Sequence, residues 1–157
     1  MKALKQFEPQ KHTDNYRLKA YQGSSSNRLL KAIYYRNEIH LTEAQIDVLL
    51  SYYKKSVKIK NDQGYVDPKS DKLFEYARLK KVLNAAQFES WLQCYYRPGA
   101  LQQAQREWEQ LEKYGLVHSV HRNAIIKEIT SNELNLRISR ELRLIGYRQE
   151  SVPGNDK

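Results

Sequence analysis

A single cysteine, Cys94, leaves no internal disulfide framework to staple this chain. Glycine is scarce, six in 157 residues, and proline scarcer still at four. The glycines fall mostly at turns and helix ends, which leaves little loop on which to build an active site. No Gly-rich phosphate loop, nucleophile elbow or triad-like grouping is present. No apolar run is long enough to span a bilayer. The opening residues, MKALKQFEPQKHTD, have no apolar h-region of a signal peptide. That leaves two placements, the cytosol or an envelope compartment reached through a signal outside these residues. Strand patterning is missing too: Val57-Lys58-Ile59-Lys60 alternates over only four residues and continues a helical stripe. These absences point away from an enzyme and call for no metal or cofactor.

Basic charge is what the chain has in excess. Lys and Arg number 27 against 18 Asp and Glu, a formal net charge of +9. The excess is concentrated towards the front: +5 over residues 1–40, +3 over 41–97 and +1 over 98–157. A basic balance fits nucleic acid, an anionic surface or an acidic protein client. Twelve tyrosines accompany it, six of them as the adjacent pairs 34–35, 52–53 and 95–96.

The most specific pattern is an internal echo. Residues 41–55, LTEAQIDVLLSYYKK, return 42 positions later as LNAAQFESWLQCYYR, with five of fifteen positions identical. Thr42 and Gln45 have the spacing of a capping box: the N-cap hydroxyl accepts from the N3 amide and the Gln side chain reaches back to the N-cap amide. Asn84 and Gln87 repeat it. Leu41 with Ile46, and Leu83 with Phe88, supply the hydrophobic staples. The echo therefore fixes two helix starts.

Around these starts the spacing predicts an all-α protein of about six helices, arranged as a bundle or an open, curved helical sheet. The helices fall at about 27–37, 42–60, 68–82, 84–97, 100–114 and 123–147, the last being the longest. Asp67-Pro68 gives the third an N-cap and a proline at N1. Leu73, Phe74, Ala77 and Val82 form its inward stripe. Arg97-Pro98-Gly99 ends the fourth helix, and Gly115 the fifth. Residues 1–26 read as a basic, polar arm, 27–148 as a single helical domain and 149–157 as a flexible tail.

Leu41-Thr42-Glu43-Ala44-Gln45 and Leu83-Asn84-Ala85-Ala86-Gln87 resemble the doubled LTxxQ motif of the Spy-like family, small helical proteins of the bacterial periplasm. The second copy carries Asn where the motif has Thr. The resemblance covers residues 40–97. It implies an ATP-independent chaperone or an envelope-stress role, a cradle of long helices that is often dimeric, and a basic, apolar concave face for unfolded clients. It would place the protein in the periplasm or cell envelope.

Candidate chemistry is sparse beside this. His118 and His121 have i, i+3 spacing but no nearby Cys, which favours solvated connector histidines over a metal site. Cys94 lies on a helix with an apolar face and reads as a packed thiol. Glu107, Glu109, Glu112, Glu128, Glu133 and Glu141 read as a solvated helix face, with Glu109–Lys113 and Glu133–Arg137 at ion-pair spacing. The capping residues Leu41, Thr42, Gln45, Leu83, Asn84 and Gln87 are structural punctuation and are not expected to bind anything. The expected working surface is the face framed by the two echoed helices, carried by Tyr52, Lys54, Lys55, Lys58, Tyr96 and Arg97. The leading expectation is a non-enzymatic helical binding protein for protein clients or an assembly partner. The alternatives are a nucleic-acid-binding module and a structural subunit tied in by its basic arm.

Overall fold

The computed structural model describes residues 15–64 and 67–146. Among the described residues the protein is all-helical, with six α-helices and no strand. They are α1 (through residues 15–22), α2 (Arg28–Tyr34), α3 (Glu43–Gln63), α4 (Pro68–Val82), α5 (Ala85–Lys113) and α6 (Arg122–Leu144), with a 3₁₀ turn at Ser119–His121. Together with that turn, the C-terminal helical stretch runs 26 residues. The chain divides into two compact units, one of described residues up to Trp91 and one from Leu92 onward. The expected tail 149–157, Tyr147 and the first fourteen residues of the expected arm lie outside the described residues.

The helix count agrees with the sequence pattern for a different reason than expected. Residues 15–22 are helical, within the stretch whose sequence reads as a basic, polar arm. Ala20 is fully buried. Arg17 donates to Asp47 at 2.7 Å and Glu43 at 3.3 Å, so its guanidinium straddles the first turns of α3. Lys19 donates to the Tyr53 hydroxyl at 3.2 Å, and Tyr16 meets the Tyr53 ring edge-on at 5.4 Å.

The compensating difference is that the expected fourth and fifth helices are one. α5 runs 29 residues with Pro98 inside it, and it, not α6, is the longest. Proline lacks the N–H that would reach the Cys94 carbonyl and normally costs a helix interior about 3 kcal/mol. Packing in the second unit carries the helix through. Ala100, Ala104 and Trp108 recur every four residues and are buried, while Pro98 sits on the exposed side. Gly99 contributes by having no side chain, since a Cβ there would lie 2.8 Å from Nη1 of Arg137. Arg137 is itself held by Glu133 one turn earlier on α6, Nε to Oε1 3.1 Å. The Tyr96 hydroxyl donates to Glu141 at 2.5 Å. Ala104, Trp108 and Ile126 form a small core to which Val117, Ile125 and Ile129 add. α5 ends in a Schellman motif: Gly115 adopts φ +67°, its N–H donates to Glu112, and the Leu116 N–H donates to Leu111.

In the first unit, α3 buries the stripe Ile46, Leu49, Leu50 and Tyr53. α4 does not bury the expected one. Leu73 is 41% exposed and Ala77 is exposed, while Glu75, Tyr76 and Leu79 point inward. Aromatic packing sets this register: Tyr76 meets Phe88 and Trp91 edge-on, at 6.3 and 5.7 Å.

Two glutamines tie these helices together. Thr42 N–H donates to Gln45 Oε1 at 3.0 Å, and Gln45 N–H donates to Thr42 Oγ1 at 3.1 Å. Asn84 and Gln87 repeat the exchange at 3.0 and 2.8 Å. Each Gln amide then turns to the other copy. Gln45 Nε2 donates to Gln87 Oε1 at 2.8 Å, and Gln87 Nε2 donates back to Gln45 Oε1 at 3.0 Å. The remaining N–H of Gln45 goes to the Val82 carbonyl, and that of Gln87 to the His40 carbonyl, both at 3.0 Å. Both amides thus use both donors and two acceptor sites. The arrangement has approximate two-fold character, because His40 and Val82 are themselves related by the 42-residue offset. His40 adopts φ +58° at the close of the turn after α2.

Two outcomes follow from this packing. Pro98→Ala should raise stability by about 1–3 kcal/mol, because it restores an N–H on an exposed helix interior; urea midpoints for the two proteins measure it. Gln45→Ala and Gln87→Ala should each cost roughly 1–3 kcal/mol, and the double variant should cost less than their sum, with a coupling on the order of 1 kcal/mol. Strict additivity would mean that each amide acts only as its own cap.

Candidate functional site

The expected surface residues divide between the two units. Tyr52, Lys54, Lys55 and Lys58 lie on the second half of α3. Tyr96 and Arg97 lie in the part of α5 that belongs to the second unit. The Tyr52 ring is half-buried, with the Arg78 guanidinium 5.1 Å and the Lys55 ammonium 5.9 Å from its centre. Lys54 stands 5.9 Å from the centre of the Tyr16 ring, and Lys58 is exposed. Tyr96 is half-buried and its hydroxyl is committed to Glu141. Glu141 is therefore a buried partner, not part of a solvated face. Arg97 is exposed and rests on Gln93 Oε1 at 3.4 Å.

Arg97 opens onto a groove of about 530 Å³ in the second unit. Its α5 wall is Gln93, Arg97, Leu101 and Gln105, one ridge of residues four apart. The neighbouring ridge, Tyr96, Ala100, Ala104 and Trp108, is turned towards the interior, which aims the first ridge outward. The α6 wall presents Arg122, Lys127 and Asn135 above Ile126 and Leu134. Three cations and no carboxylate line the groove; of its apolar lining, Leu101 is exposed while Ile126 and Leu134 are largely buried. Arg122, Lys127, Leu101 and the amides were not singled out by sequence reasoning. Their separation in the chain hides the convergence, although the 93/97/101/105 spacing was readable once α5 is known to be unbroken.

The first unit has a different cavity, of about 520 Å³, between the start of α2, the second half of α3 and α4. Glu75 lines it with a side chain only 4% exposed. Glu75 Oε1 accepts the Arg28 backbone N–H at 2.8 Å and its Nη1 at 3.4 Å. Burial pushes the Glu75 carboxyl above its ordinary 4.5, with the charge of Asp71 adding to the rise. The Arg28 backbone N–H and the Arg28 charge pull it part of the way back. Asp71, one turn earlier, accepts from Lys60 at 3.0 Å across the cavity. Nothing in the sequence marks Glu75 as buried, since its partner lies 47 residues away.

The histidine pair stays a connector feature. His118 Nδ1 accepts the Val120 N–H at 3.2 Å, and the two rings are 6.4 Å apart. Among the described residues no three His, Cys, Asp or Glu side chains come together as metal ligands. No helix among them is long and apolar enough to cross a membrane.

Comparison of the chain with family models, with curated proteins and with solved structures finds no match.

Glu75 makes stability depend on pH in a stated direction. Its folded-state pKa is raised, so the folded chain binds more protons than the unfolded one just above pH 4.5. Stability must then fall as pH rises through that window. Glu75→Gln removes the titrating group, so urea midpoints taken at increasing pH from 4.5 should fall less steeply for the variant than for the parent. Parallel slopes would show that the carboxyl titrates at its ordinary value.

Proposed function

We propose that this chain is a non-enzymatic helical binding protein, and that the α5–α6 groove of the second unit holds acidic, partly apolar protein segments. One observation carries the reading: Arg97, Arg122 and Lys127 line the groove without any carboxylate, beside the exposed Leu101. Cations at a rim favour encounter with acidic chains and reject basic ones, while the exposed Leu101 supplies area for an apolar side chain. Gln93, Gln105, Asn123 and Asn135 can both donate to and accept from an extended backbone. This side-chain set suits segments that share a composition more than it suits one fixed sequence. The resemblance to Spy-like proteins supports the same reading and adds a client class, partly unfolded chains held without ATP.

Nucleic acid is the weaker candidate. No aromatic side chain lines the groove, so unpaired bases would find cations without a stacking platform. Residues 15–22, part of the basic arm that would tie a structural subunit into an assembly, pack within the first unit through Arg17 and Lys19.

Fluorescence anisotropy on the full chain decides between these readings. A labelled peptide alternating Glu with Leu should bind, a Lys/Leu peptide should not, and Arg97→Glu with Arg122→Glu should weaken binding by roughly tenfold or more. Stronger binding of a single-stranded oligonucleotide than of the Glu/Leu peptide, falling steeply with salt, would replace this reading with nucleic-acid binding. Unchanged peptide binding in the double variant would remove the groove from the reading.

A further inference from the structure

The connector between α5 and α6 exposes apolar side chains that the packing of the second unit does not account for. The Tyr96–Glu141 bond, the approach of Gly99 to Arg137 and the core shared by Trp108 and Ile126 run in opposite order along the two helices. α5 and α6 are therefore antiparallel, and residues 114–121 close one end of a helical hairpin. Among the described residues, three of the four most exposed large apolar side chains lie in this one reversal: Tyr114 at 67%, Leu116 at 70% and Val120 at 73%. Exposed apolar residues scattered singly are ordinary, whereas several gathered at one tip mark a contact surface. The tip is also held in shape. Gly115 and Leu116 donate to carbonyls of the last turns of α5, and the His121 N–H donates to the His118 carbonyl at 3.0 Å. The half-buried Val117 packs against the core of Ala104, Trp108 and Ile126. It pins the reversal down while Leu116 and Val120 stay outside.

Charge narrows what can cover this tip. From Lys113 to Lys127 the chain carries three cations, Lys113, Arg122 and Lys127, and no Asp or Glu; Glu112 and Glu128 flank the stretch. The Lys113 ammonium lies 5.9 Å from the centre of the Tyr114 ring. The end of a two-helix hairpin is a projection, not a groove, so it suits a soft surface that side chains can enter. Aliphatic side chains at the point, a tyrosine beside them and cations at the rim are what an anionic bilayer interface accepts.

We infer that the α5–α6 tip docks this protein onto an anionic lipid surface. Leu116 and Val120 enter the boundary of the acyl chains, Tyr114 sits at headgroup level, and Lys113 and Arg122 meet the lipid phosphates. The contact is shallow: it lies on the membrane and does not cross it, in keeping with the absence of any described helix able to span one. Three apolar side chains and two cations make a reversible anchor, not a permanent one. Arg122 also lines the α5–α6 groove, but Leu116 and Val120 do not, so the two surfaces can be tested apart.

Vesicle co-sedimentation of the full chain tests this. The protein should pellet with vesicles of about 30% phosphatidylserine in phosphatidylcholine, and bind phosphatidylcholine alone at least about tenfold more weakly, the gap narrowing as salt is raised. Leu116→Glu with Val120→Glu should weaken binding to the anionic vesicles by about tenfold or more. The same variant should keep its urea midpoint and its binding of the Glu/Leu peptide, because both side chains are exposed and lie outside the groove. Should it fail to fold, Val120→Cys in a Cys94→Ser background, carrying an environment-sensitive fluorophore, should shift to the blue with anionic vesicles. The same label at Gln102→Cys, on the exposed side of α5 about three turns back, should not shift. No binding to anionic vesicles, undiminished binding in the double variant, or equal shifts at both labelled positions would overturn the inference. A double variant that keeps vesicle binding but loses the Glu/Leu peptide, or loses self-association in sedimentation velocity, would assign the tip to a protein partner and overturn the lipid surface.

Discussion

The reciprocal pair Gln45–Gln87 is the interaction on which the first unit depends. Each side chain caps its own helix and clasps the other copy, and each finishes on a backbone carbonyl, Val82 at the end of α4 for Gln45 and His40 at the close of the turn after α2 for Gln87. Two helix starts, α3 and α5, are thereby fixed side by side, and two preceding segments are docked to them. An amide is the one side chain suited to this. It offers two donors and an acceptor oxygen with two lone pairs, whereas a carboxylate can donate nothing. Gln87 is largely buried, where an unmet amide group would be costly, so the clasp is specified as tightly as an apolar contact.

From that clasp α5 runs on into the second unit, and its continuity is what creates the groove. Were the helix to end at Arg97, the ridges 93/97/101/105 and 96/100/104/108 would not exist as ridges. Gly99 leaves room for the Arg137 side chain, while Ala100 and Ala104 are fully buried. The proline is tolerated because its missing N–H falls in a helix whose adjacent ridge is held by packing. Local breaker chemistry, which costs about 3 kcal/mol, is outweighed here by tertiary contact.

Much of the helical layout was legible in the residues. Thr42, Gln45, Asn84 and Gln87 read as caps because capping is local, acting within four residues of one chain. The Asp67-Pro68 start, the Gly115 stop and the α3 stripe are local in the same sense. What was illegible is non-local. Leu73 looks as apolar as Tyr76, and only Phe88 and Trp91 decide which of them turns inward. Glu75 looks like any surface carboxylate until Arg28 arrives from another helix. Arg97 was legible as a cation beside an apolar stripe, but its neighbours Arg122 and Lys127 come from a helix that follows a turn.

Local sequence is enough to set the helical class, most helix ends and the repeated glutamine. Capping, glycine geometry and 3.6-residue periodicity are encoded over a few residues and need no fold to express them. What the glutamines bond, that Pro98 lies inside a helix, and which charges share a cavity were fixed when the chain folded. Those outcomes depend on side chains tens of residues apart being brought within 3 Å, and a linear pattern holds no distance of that kind.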